Sequence, residues 1–374
     1  MLVVLLGTAC AYEPIDSDPA SGDDDEQPQV AVEPMVSTDA TRESLSGLIL
    51  ETTGPQQWSF AVLSDLHLPN PRSAVIEREV SALIAMGVRF VVVTGDHTNG
   101  SAVVDHRQRR VNAWWASVTG ALARLRDAGI AVLPIAGNHD TYLAWQREGF
   151  EGAFGDLDRW AAPFEVHAAA GRGFARAPYS YSIDVDGVHL ALANVVDQSV
   201  DRDVATWLTD DLVAAKNARL RMVFGHVPLF SVVRRPARGF VDQLGRILAR
   251  GNADFYVAGH EHVTWDETFA VGASNALRQV TVGCASGFYV FAPSKAARAR
   301  AGCEPSGVHG ELTCTMPNGG RFELARDRSQ RMIEHDSATF SVFTVNGDDV
   351  QVTPMTIDDH GEPRAFYLTS RLSG

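Results

Sequence analysis

Five apolar, β-branched runs, each closing on a short polar motif, constrain this chain more than any other feature. Residues 58–63 lead into Asp65-Leu66-His67, 88–93 into Gly95-Asp96 and 130–135 into Gly137-Asn138-His139-Asp140. Residues 220–224 lead into Gly225-His226, and 253–257 into Gly259-His260-Glu261-His262. Runs this apolar suit strands covered on both faces, which is the habit of a largely parallel sheet between helices. Polar groups at the carboxyl ends of such strands gather along one rim, where open α/β sheets bind their ligands.

The motifs hold carboxylate, imidazole and amide groups, with no Cys. A carboxylate offers two oxygens, and neutral imidazole and an amide oxygen bind borderline divalent metals without piling up negative charge. In an extended segment alternate side chains point the same way, so Asp65 and His67 are expected on one side, as are His260 and His262. Gly95, Gly137, Gly225 and Gly259 each precede a ligand, and the expectation is that each supplies a positive φ for the bend.

The ordered set DxH, GD, GNHD, a later GH and GHxH, over residues 60–262, resembles the calcineurin-like metallophosphoesterase superfamily. The resemblance implies an α/β fold of four layers, an α/β/β/α sandwich of two mixed sheets flanked by helices. It also implies two divalent or trivalent metal ions (Mn, Fe or Zn). One is held by Asp65, His67 and His262 and the other by Asn138, His226 and His260, with Asp96 bridging them. The implied reaction is hydrolysis of a small-molecule phosphomonoester or phosphodiester by a metal-bridging hydroxide. His139 would then stabilise or protonate the leaving oxygen, and Asp140 would fix its tautomer. The alternative is an exported metal- or ligand-binding lipoprotein that keeps the fold without efficient turnover. Purple acid phosphatases carry a Tyr three residues after the bridging Asp, where this chain has Asn99, so a ferric phenolate is not expected. The run Gly225-His226-Val227-Pro228-Leu229 resembles that branch and the phosphodiesterase-like branches.

The formal net charge of −14 in 374 residues argues against a nucleic-acid groove, which needs a basic stripe. Residues 1–10 are apolar and uncharged and end at Cys10 after Gly7-Thr8-Ala9, resembling a lipoprotein signal, although Leu6 stands one place too early. Residues 11–50 are rich in Asp, Glu and Pro and read as a disordered acidic linker. Together they suggest an exported domain at residues 55–360, attached to a membrane through lipidated Cys10 and facing the periplasm or cell surface, or else secreted and soluble. In an oxidising compartment Cys303 and Cys314 can close a disulfide within a loop insertion at 292–325, two free thiols being the alternative. Cys284 reads as a buried core residue.

Periodicity predicts crossover helices over 73–86 and 103–126, with Trp114, Trp115, Leu122 and Leu125 as packing residues and His106 solvated. Residues 142–178 read as an insertion beside the site, with Arg172 and Arg176 near its end. A hairpin is expected around Asp186-Gly187, with His189 on one face. Helices over 204–218 and 240–250 lead to the two His-bearing strands, and Arg234 and Arg235 follow the His226 loop. Strands over 278–291 and 339–354, the latter hinged at Asn346-Gly347, are expected to complete the second sheet.

Overall fold

The computed structural model describes residues 57–70, 73–101, 108–231, 236–271, 275–286, 303–306, 311–315, 321–324, 338–357, 361–365 and 370–373. The signal-like segment with Cys10, the acidic linker, His106, Arg234 and Arg235 lie outside the described residues.

The chain runs β1 (Gln57–Leu63), α1 (Ser73–Met86), β2 (Phe90–Val93), α2 (Gln108–Asp127), β3 (Ala131–Pro134), α3 (Ala144–Phe154) and α4 (Leu157–Ala161). It continues through β4 (His167–Ala170), β5 (Arg176–Val185), β6 (Val188–Leu192), α5 (Arg202–Ala214), β7 (Leu220–Phe224) and α6 (Arg238–Arg250). Next come β8 (Phe255–Ala258), β9 (Trp265–Val271), β10 (Asn275–Thr281), β11 (Cys303–Ser306), β12 (Glu311–Thr315) and β13 (Arg321–Leu324). The last strands are β14 (Thr339–Asn346), β15 (Asp349–Ile357), β16 (Pro363–Ala365) and β17 (Ser370–Ser373).

Among the described residues these strands form a six-stranded sheet in the order β16-β15-β14-β1-β2-β3 and a seven-stranded sheet in the order β4-β5-β6-β7-β8-β10-β9. Both are mixed: β1, β2 and β3 run parallel, as do β6, β7, β8 and β10, while the remaining partners are antiparallel. Three apolar layers hold the sandwich together. Val80, Leu83, Trp115 and Leu122 of α1 and α2 pack on one face of the first sheet. Phe60, Phe90, Phe224 and Phe343 fill the space between the sheets. Leu208, Leu212, Leu244 and Leu248 of α5 and α6 cover the outer face of the second. Strands apolar on both faces are what a layer between two cores requires, and β2 and β3 are buried at every position.

One strand expectation needs correction. The 339–354 hairpin joins the first sheet, β14 lying antiparallel beside β1 with Phe60 opposite Phe343. Seven of the eight β14 residues are buried, so this strand suits the position beside β1, whose ladder would otherwise end there. The strand expected over 278–291 is β10, placed between β8 and β9. The segment read as a loop insertion contains β11, β12 and β13, which form a third small sheet with β17, and its ladder sets Cys303 opposite Cys314.

His189 has a structural role that its face position did not reveal. Its Nδ1 lies 3.0 Å from Asp184 Oδ1 on β5 and its Nε2 2.8 Å from Asp211 Oδ2 on α5. Ser182 donates to the other Asp211 oxygen, and His167 Nε2 on β4 lies 3.3 Å from Asp184 Oδ2. Burial lowers the His189 pKa, but the two carboxylates outweigh it and raise it above the ordinary value. A His raised on folding stabilises most below its unfolded pKa of roughly 6.5, and that contribution is lost as pH rises through the folded pKa. His189→Gln is therefore expected to flatten the fall in the urea midpoint above roughly pH 6.5. An identical pH slope in wild type and variant would contradict the clamp.

Candidate metal centre

Five loops bring their polar residues to the rim between the two sheets, three from β1, β2 and β3 and two from β7 and β8. Backbone bonds continue the parallel ladders past the strand ends: Asp65 N donates to Gly95 O, His67 N to Asp96 O and Gly259 N to His226 O. The loops are thus held to one another before any side chain contributes.

The local backbone differs from the expected extended run. Asp65, His67, Asp96, His260 and His262 all have positive φ, between 47° and 68°. Non-glycine residues seldom adopt this region, and where they do the surrounding structure must impose it, commonly at functional sites. Leu66 turns into the α1–α2 core while its neighbours face the rim. Of the four glycines, only Gly95 bends at positive φ, +100°. A Cβ on Gly137 would overlap Asp96, one on Gly225 would overlap Tyr256, and one on Gly259 would overlap Ser64 and lie 2.7 Å from Asp65 Oδ2. These three serve close approach, which spacing alone does not disclose. Gly259→Ala is expected to cost about 1–3 kcal/mol in urea unfolding and to lower the metal content, whereas Gly245→Ala in α6, where a Cβ meets open space, should not destabilise. Equal unfolding midpoints for the two variants would contradict this reading.

The side chains form two groups that share Asp96. In the first, His262 Nε2 lies 3.2 Å from Asp65 Oδ1 and 3.2 Å from His67 Nε2, and His67 Nε2 lies 3.8 Å from both Asp65 Oδ1 and Asp96 Oδ2. In the second, His226 Nε2 lies 3.3 Å from Asp96 Oδ2, 2.8 Å from Asn138 Oδ1 and 3.2 Å from His260 Nδ1. Spacings of this size between donor atoms are those of ligands around one cation with bonds of roughly 2.0–2.2 Å.

The remaining contacts of these groups leave the right atoms inward. His226 Nδ1 donates to Thr94 O at 2.7 Å, the carbonyl contact that turns the other nitrogen of a ligating His to its metal. Asp65 Oδ2 accepts from Ser64 Oγ and His260 N, while its Oδ1, fully buried, accepts no hydrogen bond. Asp96 Oδ1 accepts from His139 N at 2.8 Å, leaving Oδ2 between the two groups. The Asn138 amide donates to the Tyr142 hydroxyl, which directs Oδ1 toward His226. Among the described residues no Lys or Arg pairs with Asp65 or Asp96, so a buried carboxylate oxygen and facing imidazole nitrogens fit metal ions.

The electrostatics agree. Burial brings the His67 pKa down to about 3, against the pull of Asp96, so its imidazole is neutral. Burial raises Asp65, but His262 and His226 outweigh it and hold the carboxyl at about 2. Burial likewise opposes ionisation of Asp96, yet His226, His139 and His67 keep it well below the carboxylate range. Burial lowers His226, but Asp96 beside it holds the imidazole up to about 9, so a metal bound there would have to displace a proton.

His139 sits at the open side of the centre, its side chain 33% exposed and its Nε2 3.9 Å from Asp96 Oδ2. The expectation that Asp140 orients it needs correction. Asp140 Oδ2 binds His97 Nδ1, His97 N and Gly137 N, and its Oδ1 accepts from Thr98 N. Being fully buried, the carboxylate serves to tie the β2 and β3 loops together. His139 Nδ1 instead meets Gly100 O at 2.5 Å, and Gln146 Nε2 steadies that loop through Ser101 O. Asn99, in the place of the purple-enzyme Tyr, donates to His67 O and Pro69 O. Arg176 is paired with Glu151 and stacked over Tyr179, and Arg172 is exposed. Tyr142, Gln146 and Gly100 were not singled out from the sequence. The Asn138-to-Tyr142 spacing of one helical turn was the available signal for the first.

No curated protein matches the chain. The fold is similar to that of GAP50, the anchor in the inner membrane complex of Plasmodium, with a TM-score of 0.50 at 13% identity over 85% of this chain and 89% of that one. Similarity also extends to a dimetal phosphatase from Danio rerio, with a TM-score of 0.43 at 14% identity over 61% of this chain and 87% of that one. Purple acid phosphatase PPD1 from yellow lupin (Lupinus luteus) seeds gives a TM-score of 0.45 at 14% identity over 79% of this chain and 52% of that one. The family model described as calcineurin-like phosphoesterase matches residues 59–264, which hold all five loops, and the chain belongs to that family.

Proposed function

We propose that the chain is a binuclear metallophosphoesterase that hydrolyses a phosphomonoester or phosphodiester at this centre. The observation that carries the reading is Asp96 Oδ2, one carboxylate oxygen within 3.3 Å of His226 Nε2 and 3.8 Å of His67 Nε2, which joins the two ligand groups. Asp65, His67 and His262 would hold one ion, Asn138, His226 and His260 the other, and Asp96 both. The pair would neutralise the phosphoryl oxygens and acidify a nucleophilic water, so no protein nucleophile is needed.

The protein's own part is orientation and proton delivery. With His139 Nδ1–H directed to Gly100 O, the Nε2 position faces the centre and can hold the proton that the leaving oxygen takes. The buried Asp140 fixes the loop from which His139 projects. Substrate reaches His139 from its exposed side, since Asp65, His67, Asp96 and His226 are almost wholly buried. The reading is tested with chelated protein reloaded separately with Mn, Fe and Zn and assayed on mono- and diester substrates. Turnover that requires metal is expected. A protein that holds metal and hydrolyses no ester would overturn it and leave a binding role.

A further inference from the structure

We infer that Tyr142 determines which organic group the centre accepts, its ring receiving a flat aromatic leaving group. This inference rests on the phosphoesterase reading above. Residues 137–142 form a tight turn, Asp140 N donating to Gly137 O at 3.2 Å and Tyr142 N to Asn138 O at 3.1 Å. Four residues apart on such a turn, Asn138 and Tyr142 share a face, and the Asn138 amide donates to the Tyr142 hydroxyl. The ring is thereby held at its backbone and at its far end, so little ordering remains when a ligand stacks on it.

The neighbour of that ring gives the position its meaning. The His139 imidazole lies 5.3 Å from it, centroid to centroid, at 64°. Because His139 faces the leaving oxygen, the organic group beyond that oxygen lies alongside Tyr142. Tyr142 is also 39% exposed, and among the described residues the other large apolar side chain so exposed, Val213, belongs to α5 on the outer layer. An exposed aromatic ring fixed beside a buried charged centre is the usual apolar part of a small-molecule pocket, and it favours flat partners by offset or edge-on ring contact.

The test uses the metal-loaded full chain with two esters, phenyl phosphate and glycerol phosphate, and two non-hydrolysable probes, phenylphosphonate and methylphosphonate. Tyr142→Phe, which keeps the ring, is expected to keep the aryl-over-alkyl ratio of kcat/KM even where its absolute rate falls. Tyr142→Leu should lower that ratio, and the ratio of phosphonate affinities read by calorimetry, by about 3- to 10-fold. A Tyr142→Leu protein with both ratios unchanged would overturn the inference, as would wild-type protein that does not distinguish the two phosphonates. If neither ester is cleaved, the mono- and diester assays above decide the phosphoesterase reading separately, and the phosphonate affinities still decide the role of Tyr142.

Discussion

Asp96→Asn is expected to lower phosphoester hydrolysis by about 10³-fold or more, because it strikes both halves of the centre at once. The carboxylate lies between the two ligand groups, with Oδ2 toward His226 and His67 and Oδ1 held by the His139 amide. An amide of the same shape has a single oxygen, carries no charge and presents N–H donors where a cation requires lone pairs. Elemental analysis of the variant should show a lowered metal content with the fold retained, since the replacement is isosteric. Undiminished activity would mean that Asp96 is an ordinary turn residue of the β2 loop.

His139→Gln should lower kcat by about 10²- to 10⁴-fold while leaving the metal content unchanged, the signature of a lost proton donor. The loss is expected to be greatest for alkyl esters, whose leaving oxygens need the proton most, and smallest for esters of acidic phenols. The geometry behind this expectation is the Gly100 carbonyl on Nδ1 and the 33% exposure of the side chain toward the open side. An equal loss across all leaving groups would assign His139 to positioning, and a parallel loss of metal would assign it to the ligand set, a role its place beside His67 and Asp96 also permits.

Much of the architecture was legible because burial on both faces leaves a clear mark in sequence. The five runs that end in motifs became β1, β2, β3, β7 and β8, and the helix expected over 73–86 is α1. The Asn346-Gly347 hinge was equally plain, yet nothing local says which sheet a hairpin joins. Only the pairing of Phe60 with Phe343 across β1 and β14 decides that. At the centre the ligand types could be read, but the backbone that gathers them could not. Positive φ at Asp65 or His262 is imposed by neighbouring loops, and the better tolerance of Asp and His for it does not mark where it falls. Asp140 misled for a related reason: adjacency to His139 suggested a partnership, while the turn aims its carboxylate inward at His97 and Thr98. Gly100 and Gln146 orient His139 from a distance in sequence that no motif spans.

The most direct test of a shared, two-ion centre is electron paramagnetic resonance of Mn(II)-loaded protein together with elemental analysis. Two equivalents per chain with coupled spins are expected, the coupling being abolished in Asp96→Asn. One equivalent alone, or two that remain uncoupled in the wild-type protein, would contradict the shared centre.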